Sequence, residues 1–578
     1  MEEFILFIND IDTNPTLIKE LNMITLDPTH HKLLITYAWV GPNGIGDQET
    51  REEPIDIMSL SELHDYLNDS FDHILTIEDM LLNERLITYY ISLENQSFIK
   101  EIDDLYCELL WRLWRKKDRN EEENVDLAIA YQEYGHFLEK VDLPRSIDPY
   151  LREKTILEEV AINNPNEDNK RNVLVGLEDV IRVYEKLGDD FEKEALNYTL
   201  ALFKQYEDCH LENNYEKAHI AEKIGLHYAS IDTIEDLDNI DSDDQRIELS
   251  LYYHNIEKDI FKMLLDEDPS LDNKYNYGIS LRQMGNRYEQ LGDQDSLKQA
   301  SLLYDEAYEL FSELYKKDPN YRESYIIASE QKGNIAFLRE EYKDALYYYE
   351  EVYQLEKEDA LSNSDDDLFS VAIILKKLGK VNEKLHNIDQ ALAYYKESLS
   401  LVLDIEKRTD IYVRKAEVGI AYMNIGWVYM NKSEYNLAKE YFEKDLAIRE
   451  KLHDEYQSVS SHYSLSLAYR HMGYVLEELD EKQSLDYFRK CFDISAYYEK
   501  KYSHEGERHY LAVSTHDLAY DLMRLGYLEE AKSYYEEVLY YLEHYKEKRK
   551  HEYVLNKEEI SDEYHQLIAL LKGKEKEK

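Results

Sequence analysis

From about residue 120 onward, small and aromatic residues recur along the chain at a fixed spacing. In the segment 331–359, Gly333 is followed twelve residues later by Ala345, and Tyr349 lies four residues further on. Two small residues at this distance across a turn allow two antiparallel helices to approach closely, and the aromatic ring one helical turn later fills the space between them. Because such a hairpin cannot bury its apolar face alone, the pattern predicts a stack of helix hairpins.

Aligned on the first small position, the pattern predicts a series of similar units. That position is held by Gly135, Ile181, Gly225, Gly285, Gly333, Gly379, Gly426, Gly473 and Ala519. Most units lie 44–48 residues apart, and the one gap of 60 residues contains the acidic segment 230–245, which we predict to be an exposed loop.

These residues resemble the tetratricopeptide repeat (TPR), which has a small residue at its eighth position, on helix A, and an alanine at its twentieth, on helix B. The resemblance covers roughly residues 120–550. Since the units exceed the usual length of about 34 residues, they are similar to the long-helix repeats of kinesin light chains and of bacterial Rap-type receptors. The resemblance implies an all-α fold, a right-handed TPR superhelix of about nine helical hairpins.

The two ends of the chain differ from the repeated region. Short apolar runs at 3–8 and 32–40 have strand character, so we predict a small mixed α/β N-terminal module over residues 1–58. Helical patterns over 59–119 predict a connector or cap, which leads into the array at 120–550. Residues 551–578 predict a C-terminal capping helix and a charged tail, since a solvating final helix covers the open end of a repeat array.

Composition and charge exclude several classes of function. The 578 residues include 122 Asp and Glu against 68 Lys and Arg, a formal charge of -54, which argues against a nucleic-acid ligand because phosphate contacts need a cationic surface. No apolar stretch is long enough to span a membrane, and the acidic N-terminus does not resemble a signal peptide. We therefore expect a cytoplasmic protein. The 53 tyrosines, many of them on helix B, are predicted to pack their rings between units and to leave their hydroxyls at the wet edge.

No motif predicts catalysis, a cofactor or a metal site. The glycine-rich segment 41–47 lacks the Lys and Ser/Thr of a phosphate-binding loop, so we interpret it as an ordinary loop. Cys107, Cys209 and Cys491 each lie in an apolar helical pattern and are predicted to be buried or half-buried structural thiols. The basic stretch 111–119 contains Trp111 and Trp114, which we predict to pack against the array.

A strip of cationic, polar and aromatic residues is predicted on the concave face of the later units. In TPR proteins this face is lined by particular helix A positions, and the resemblance places eleven candidate partner-binding residues there. They are Lys376, Lys380, Met423, Asn424, Trp427, Arg470, His471, Tyr474, His516, Tyr520 and Arg524. The strip partly resembles the carboxylate clamp of chaperone-binding TPRs, although Lys380 replaces an Asn of the clamp and Leu467 replaces a Lys. The alternative is that these cations only neutralise acids of adjacent helices.

The function that this reading favours is a non-enzymatic adaptor or regulatory scaffold. It would bind a protein or peptide partner in its groove, with an acidic or carboxylate-bearing segment as one option. One alternative is a sensor or regulatory subunit of a bacterial signalling or defence system, in which the N-terminal module or a partner carries the effector activity. Another is an acidic nucleic-acid mimic that blocks a basic partner. The sequence does not indicate the oligomeric state.

Overall fold

A computed structural model gives the backbone of most of the chain. It describes residues 3–4, 19–27, 32–40, 48–55, 59–71, 76–82, 84–208, 214–231, 240, 242–359, 364–408, 411–480, 482–502, 505–545 and 555–577. The chain forms two compact units, Met1–Leu264 and Leu265–Lys578.

Each of the nine repeats predicted from the sequence coincides with a pair of helices. The first three pairs are α5 (Glu121–Val141) with α6 (Ile147–Asn163), α7 (Glu167–Leu187) with α8 (Glu192–Asp208), and α9 (Asn214–Ser230) with α10 (Asp243–Glu267). The next three are α11 (Leu271–Leu291) with α12 (Gln294–Lys317), α13 (Arg322–Leu338) with α14 (Tyr342–Asp359), and α15 (Asp365–Lys384) with α16 (Ile388–Glu406). The last three are α17 (Tyr412–Asn431) with α18 (Tyr435–Tyr456), α19 (Val459–Glu478) with α20 (Ser484–Tyr502), and α21 (Glu505–Arg524) with α22 (Leu528–His544). The final helix is α23 (Lys557–Glu577). The predicted all-α repeat fold is therefore confirmed.

The small residue of helix A and the aromatic residue of helix B pack directly against each other. A Cβ atom added to Gly426 would lie 2.5 Å from the ring of Phe442, and one added to Gly135 would lie 2.7 Å from the ring of Tyr150. Where the aromatic residue is tyrosine, its hydroxyl reaches a polar side chain, as when Tyr349 donates a hydrogen bond to Asn334 Oδ1 over 2.9 Å. These contacts confirm that the small residue and the aromatic ring pack against each other within one hairpin.

The turns between the helices of successive hairpins have the same geometry. Glu340, His386 and Ser433 each adopt a left-handed backbone conformation, with φ of 65°, 60° and 57°. In each turn the next amide closes a six-residue hydrogen bond back to helix A, of 2.8–2.9 Å. This arrangement satisfies carbonyls at the helix end.

The N-terminal segment differs from its prediction. Its described backbone forms four antiparallel strands in the order β1 (Glu3–Phe4), β2 (Lys19–Asp27), β3 (Lys32–Val40) and β4 (Gln48–Ile55). The described residues before Leu60 include no helix, so the mixed α/β module predicted for 1–58 is not supported. The sequence pattern missed β2 and β4 because a bulge between Leu21 and Met23 interrupts β2, and β4 is a charged strand at the sheet edge.

Four helices lie between the strands and the first hairpin. They are α1 (Leu60–Phe71), α2 (Ile77–Leu81), α3 (Glu84–Ser92) and α4 (Gln96–Trp114). Their apolar residues form one core with helix α5, in which Leu63, Leu86 and Tyr106 are packed together with Phe137. The helices of 59–119 thus share their core with the first hairpin.

The predicted packing of the two tryptophans is wrong. The buried face of α4 is formed by residues such as Ile102, Tyr106 and Leu110, and Trp111 and Trp114 lie off this face with 57% and 60% of their surface exposed. The Arg115 guanidinium stacks over the Trp111 ring at 4.3 Å. Adjacent helical positions differ by about 100°, so the leucines that fix the face turn both tryptophans outward.

Two predicted loops lie outside the described residues: the glycine-rich segment 41–47 and most of the acidic segment 230–245. Within the described part of the chain, no helix combines the length and the apolar character that crossing a membrane requires.

Candidate functional site

A cavity of about 1150 Å³ lies between helices α15, α17 and α19 of the second compact unit. Five of the eleven predicted residues line it: Lys376, Lys380, Met423, Asn424 and Trp427. Helix periodicity explains why they meet, because Lys376 and Lys380 are one turn apart on α15, and Met423 and Trp427 are one turn apart on α17. Helices α15 and α17, the first helices of two successive hairpins, are in contact.

The α15 wall of the cavity carries positive charge. Lys376 is neutralised, since its Nζ lies 2.8 Å from both carboxylate oxygens of Glu417. Lys380 and Lys384 are exposed, and no hydrogen bond or ion pair is found for either side chain within the described residues. Two lysine charges therefore face the cavity without a paired acid.

Glu383 is the one carboxylate among the described residues that line the cavity. The Tyr395 hydroxyl donates a 2.6 Å hydrogen bond to Glu383 Oε2. Burial raises the pKa of Glu383 above its usual value, although the hydrogen bond from Tyr395 and the charges of Lys380 and Lys384 oppose this shift. Glu383 is therefore protonated more readily than a solvent-exposed carboxyl group.

The floor of the cavity contains a buried amide whose donor is unused. Asn424 is 6% exposed, and its Nδ2 has no hydrogen-bond partner in the described part of the chain. An unsatisfied buried donor costs free energy, so a ligand acceptor in the cavity would relieve this cost.

Arg449 reaches the cavity from helix α18, where sequence analysis of helix A could not find it. Its Nε donates to Asp445 Oδ1, and both side chains are buried. A Cβ added to Gly419 would lie 2.8 Å from Asp445 Oδ1, so glycine is required here for the carboxylate to approach α17. The sequence signal for this pair is Gly419, a second small residue on the same helix as Gly426.

His471 lies behind the cavity rather than in its lining. It is 1% exposed, and its ring packs at 5.2 Å from Trp427 and 5.4 Å from Phe442. Its Nδ1 is 4.0 Å from Asp445 Oδ2, which is too long for a hydrogen bond. Burial lowers the pKa of His471 below its usual value, because the nearby Asp445 carboxylate compensates only in part. The side chain therefore supports Trp427 as a neutral ring.

Four of the remaining predicted residues, Arg470, Tyr474, His516 and Arg524, are held by acids of the protein itself. Arg470 pairs with Asp517, whose Oδ1 also accepts a 3.0 Å hydrogen bond from the Tyr474 hydroxyl. His516 Nε2 lies 2.8 Å from Glu563 Oε2.

Arg524 bonds to Asp521 at 2.6 Å and to Asp480 at 3.2 Å, and Tyr520 is 39% exposed. None of these residues lines the cavity. The strip thus divides into residues that line the cavity, of which Lys376 is also paired with an acid, and residues outside it, most of which are engaged in internal pairs.

The thiols are placed differently from one another. Cys491 is buried, and burial raises its pKa to about 11, so it is protonated at neutral pH. Cys107 is exposed, which contradicts its predicted burial, and its Sγ lies 3.6 Å from the Tyr134 hydroxyl. Cys209 lies outside the described residues. In the part of the chain that is described, no three His, Cys, Asp or Glu side chains are grouped as metal ligands.

Comparison with known proteins adds to this geometry. The family model for the tetratricopeptide repeat matches residues 418–455. This segment covers most of α17 and α18, which supply Asn424, Trp427 and Arg449 to the cavity. The chain therefore contains a tetratricopeptide repeat at this hairpin.

Several solved structures resemble this chain at low sequence identity. BtubC from P. vanneervenii is 21% identical with a TM-score of 0.36, and the match covers 45% of this chain and 93% of that one. The quorum sensor NprR from B. thuringiensis is 14% identical with a TM-score of 0.40, covering 71% and 97%. RapI is 12% identical with a TM-score of 0.39, covering 57% and 99%. No curated protein matches the chain.

Proposed function

We propose that this TPR protein is a non-enzymatic adaptor or regulatory scaffold that binds an acidic, carboxylate-bearing segment of a protein partner in the cavity between α15, α17 and α19. The observation that carries the proposal is the buried Asn424 Nδ2 donor, which has no hydrogen-bond partner in the described part of the chain and lies in a cavity that Lys380 and Lys384 also line. Lysines and an amide together suit an extended acidic peptide, which offers both carboxylates and backbone carbonyls.

The charge of the whole chain strengthens this argument. In a protein with a formal charge of -54, most surfaces repel an acidic segment. The wall formed by Lys380 and Lys384 is an exception, because Glu383 is its single lining carboxylate and is already hydrogen-bonded to Tyr395. The lysines of this wall would attract an acidic segment, and the negative charge of the remaining surface would repel it.

The opposite wall supplies apolar contacts. Met423 and Trp427 line the cavity on α17, and the Trp427 ring is held edge-on between Phe442 at 5.6 Å and Tyr474 at 6.2 Å. A ring fixed in this way presents contact area at little cost in conformational entropy. Trp427 therefore provides apolar anchoring, while the lysines provide charge recognition.

Binding of labelled acidic decapeptides of Asp and Glu to the full chain, followed by fluorescence anisotropy, tests this proposal. Hydrogen bonds to charged groups contribute about 1.5–3 kcal/mol, so Lys380→Glu should weaken binding at least tenfold. Asn424→Leu should weaken it without altering the dependence on salt, since no charge changes.

Lys451→Glu is the matched control. Lys451 is an exposed lysine on α18 that does not line the cavity, and its reversal changes the net charge by the same amount. If Lys451→Glu weakens binding as much as Lys380→Glu, the interaction is a general charge effect and the proposed site is wrong.

The wider role is tested by partner capture. The full chain and a chain lacking residues 1–58 should capture the same partner, because the proposed site lies on α15, α17 and α19. Loss of the partner on truncation would favour a role for the N-terminal segment in recognition. Loss of a cellular activity with the partner retained would favour the signalling or defence alternative.

A further inference from the structure

A second, smaller cavity of about 340 Å³ lies beside the first. Its lining comes from the start of α19, the end of α20 and the start of α21, and includes His462, Tyr463, Ile494, Tyr498 and Tyr510. Tyr463 also lines the large cavity, as do Ser464 and Leu467 further along α19. The two cavities are therefore neighbours on one helix.

The extra length of the repeats builds this smaller cavity. With Gly473 at the eighth position of its unit, Ser466 is the first residue of the TPR motif. Ser460, His462 and Tyr463 precede the motif and belong to the additional turns of α19. A unit of ordinary length would lack the helix ends that enclose this space.

Several polar groups of the smaller cavity already have partners within the protein. Ser466 Oγ lies 3.1 Å from Ser495 Oγ, and Ser495 donates to the Cys491 carbonyl at 2.9 Å. His462 Nδ1 is 2.7 Å from the Ser458 carbonyl oxygen, which also accepts a 3.3 Å hydrogen bond from the Tyr498 hydroxyl. An incoming group therefore finds few free donors or acceptors in this lining.

The remaining surface is aromatic and uncharged. The rings of Tyr463 and Tyr510 have their centroids 4.3 Å apart, and those of His462 and Tyr498 are 3.8 Å apart. Burial, together with the neighbouring charges of His453 and Lys501, lowers the pKa of His462 to about 4, so its ring is neutral at pH 7. No Asp, Glu, Lys or Arg is among the described lining residues.

We infer that the smaller cavity receives a bulky apolar side chain, aromatic or branched, from the same segment whose acidic residues occupy the large cavity. This inference rests on the proposed function. The shared Tyr463 provides the continuity between the sites, and the volume lies within the range of sites that hold small organic groups. The recognised segment would thus combine acidic residues with one large apolar residue, a more selective requirement than charge alone.

The test uses the full chain and a library of acidic decapeptides in which one position, moved along the peptide, is Phe, Leu or Ala. We expect the wild-type chain to select Phe or Leu at a fixed distance from the acids. Replacing that residue by Ala should weaken binding about 10- to 100-fold, the effect of burying one large apolar side chain.

Two variants fill the smaller cavity. Ile494→Phe adds volume within it, and Ser460→Trp adds a ring at its exposed rim. Both variants should bind the peptide with Phe or Leu only as tightly as they bind its Ala counterpart, and their affinity for the Ala peptide should equal that of the wild-type chain. Lys380→Glu should weaken the binding of both peptides. Ser533→Trp, at an exposed serine of α22 that lines neither cavity, is the control for added aromatic surface, and thermal denaturation by circular dichroism checks folding.

The outcomes separate this inference from the proposed function. If acidic peptides bind with no preference for Phe or Leu, or if the filling variants weaken both peptides equally, the inference fails and the proposed function stands. If no acidic peptide binds, both fail. Saturable binding of free indole by such a chain, lost in Ile494→Phe, would then assign the smaller cavity to a free small molecule instead.

Discussion

Substitution of Arg470 should affect the stability of the fold, whereas substitution of Lys380 should affect peptide binding. Arg470 is 8% exposed and pairs with Asp517, which is also 8% exposed. Although burial lowers the pKa of Arg470, the Asp517 carboxylate outweighs burial and holds this pKa above its usual value. Lys380 is exposed, and no partner for it is found in the described part of the chain.

These environments set the expected magnitudes. Arg470→Ala leaves the Asp517 carboxylate buried with the Tyr474 hydroxyl as its one remaining hydrogen-bond donor among the described residues, and breaking a buried ion pair in this way costs about 3–5 kcal/mol. Lys380→Ala removes an exposed side chain and should change the free energy of unfolding by less than about 0.5 kcal/mol. Its effect should appear in peptide binding instead.

Urea denaturation followed by far-UV circular dichroism measures the overall effect. Because repeat arrays open locally, amide hydrogen exchange in α19 and α21 should be measured alongside it. We expect Arg470→Ala to accelerate exchange in these two helices and Lys380→Ala to leave it unchanged. Adding Asp517→Asn to Arg470→Ala should recover much of the loss, because the amide removes the buried charge and still accepts from Tyr474.

One pattern of results would refute this reasoning. If Arg470→Ala cost less than about 1 kcal/mol and weakened acidic peptides more than Lys380→Ala, Arg470 would be available to ligands. The separation of the strip into binding and structural parts would then be wrong.

Three further predictions concern the scaffold. Gly426→Ala should destabilise the chain by about 1–3 kcal/mol, because the added Cβ would lie 2.5 Å from the Phe442 ring. In urea denaturation, adding Phe442→Leu to Gly426→Ala should restore part of this loss. An unchanged urea midpoint for Gly426→Ala would contradict the packing of Gly426 against Phe442. Burial raises the pKa of Glu153 from its usual value of 4.5 to about 9. The charges of Asp179 and Glu133 reinforce this shift, and the charge of Arg182 opposes it. The folded state therefore favours protonated Glu153, and the contribution of this group to stability is lost as pH rises from about 5 to about 9. The melting temperature of Glu153→Gln should exceed that of the wild-type chain increasingly over this pH range, and the two should be equal at pH 4. A difference in melting temperature that does not change with pH would disprove this prediction. Removal of residues 1–58 should leave the helices folded. Removal of residues 1–95 also deletes α1–α3 from the core around Tyr106 and Phe137, and it should cause aggregation or loss of helical signal in circular dichroism. If the two truncated chains behave equally, α1–α3 are dispensable for folding.

Local pattern alone was sufficient to identify the repeated architecture. The spacing from Gly333 to Ala345 to Tyr349 encodes a contact between two helices that are adjacent in sequence, so every step of the inference is short-range. Helix periodicity likewise placed Lys376, Lys380 and Trp427 on faces that meet in the structure. These features follow from the geometry of one hairpin and its nearest neighbour.

Other features depended on which partner each side chain finds in space. The pattern of α4 is compatible with Trp111 on either side of the helix, and only the packing of α1–α3 turns it outward. The strand β4 is polar in sequence and is defined by its register with β3 rather than by its own propensity.

The candidate site shows the same distinction most clearly. The sequence by itself determined that Lys380 and Arg470 occupy equivalent faces of helix A, since both follow from position within a repeat. Only the tertiary structure decided that Asp517, 47 residues after Arg470, pairs with its guanidinium, while Lys380 has no ion-pair partner among the residues that the structure describes. Helix periodicity indicates which residues share a face. An ion pair depends on the spacing between two faces, and that spacing exists only once the hairpins are stacked.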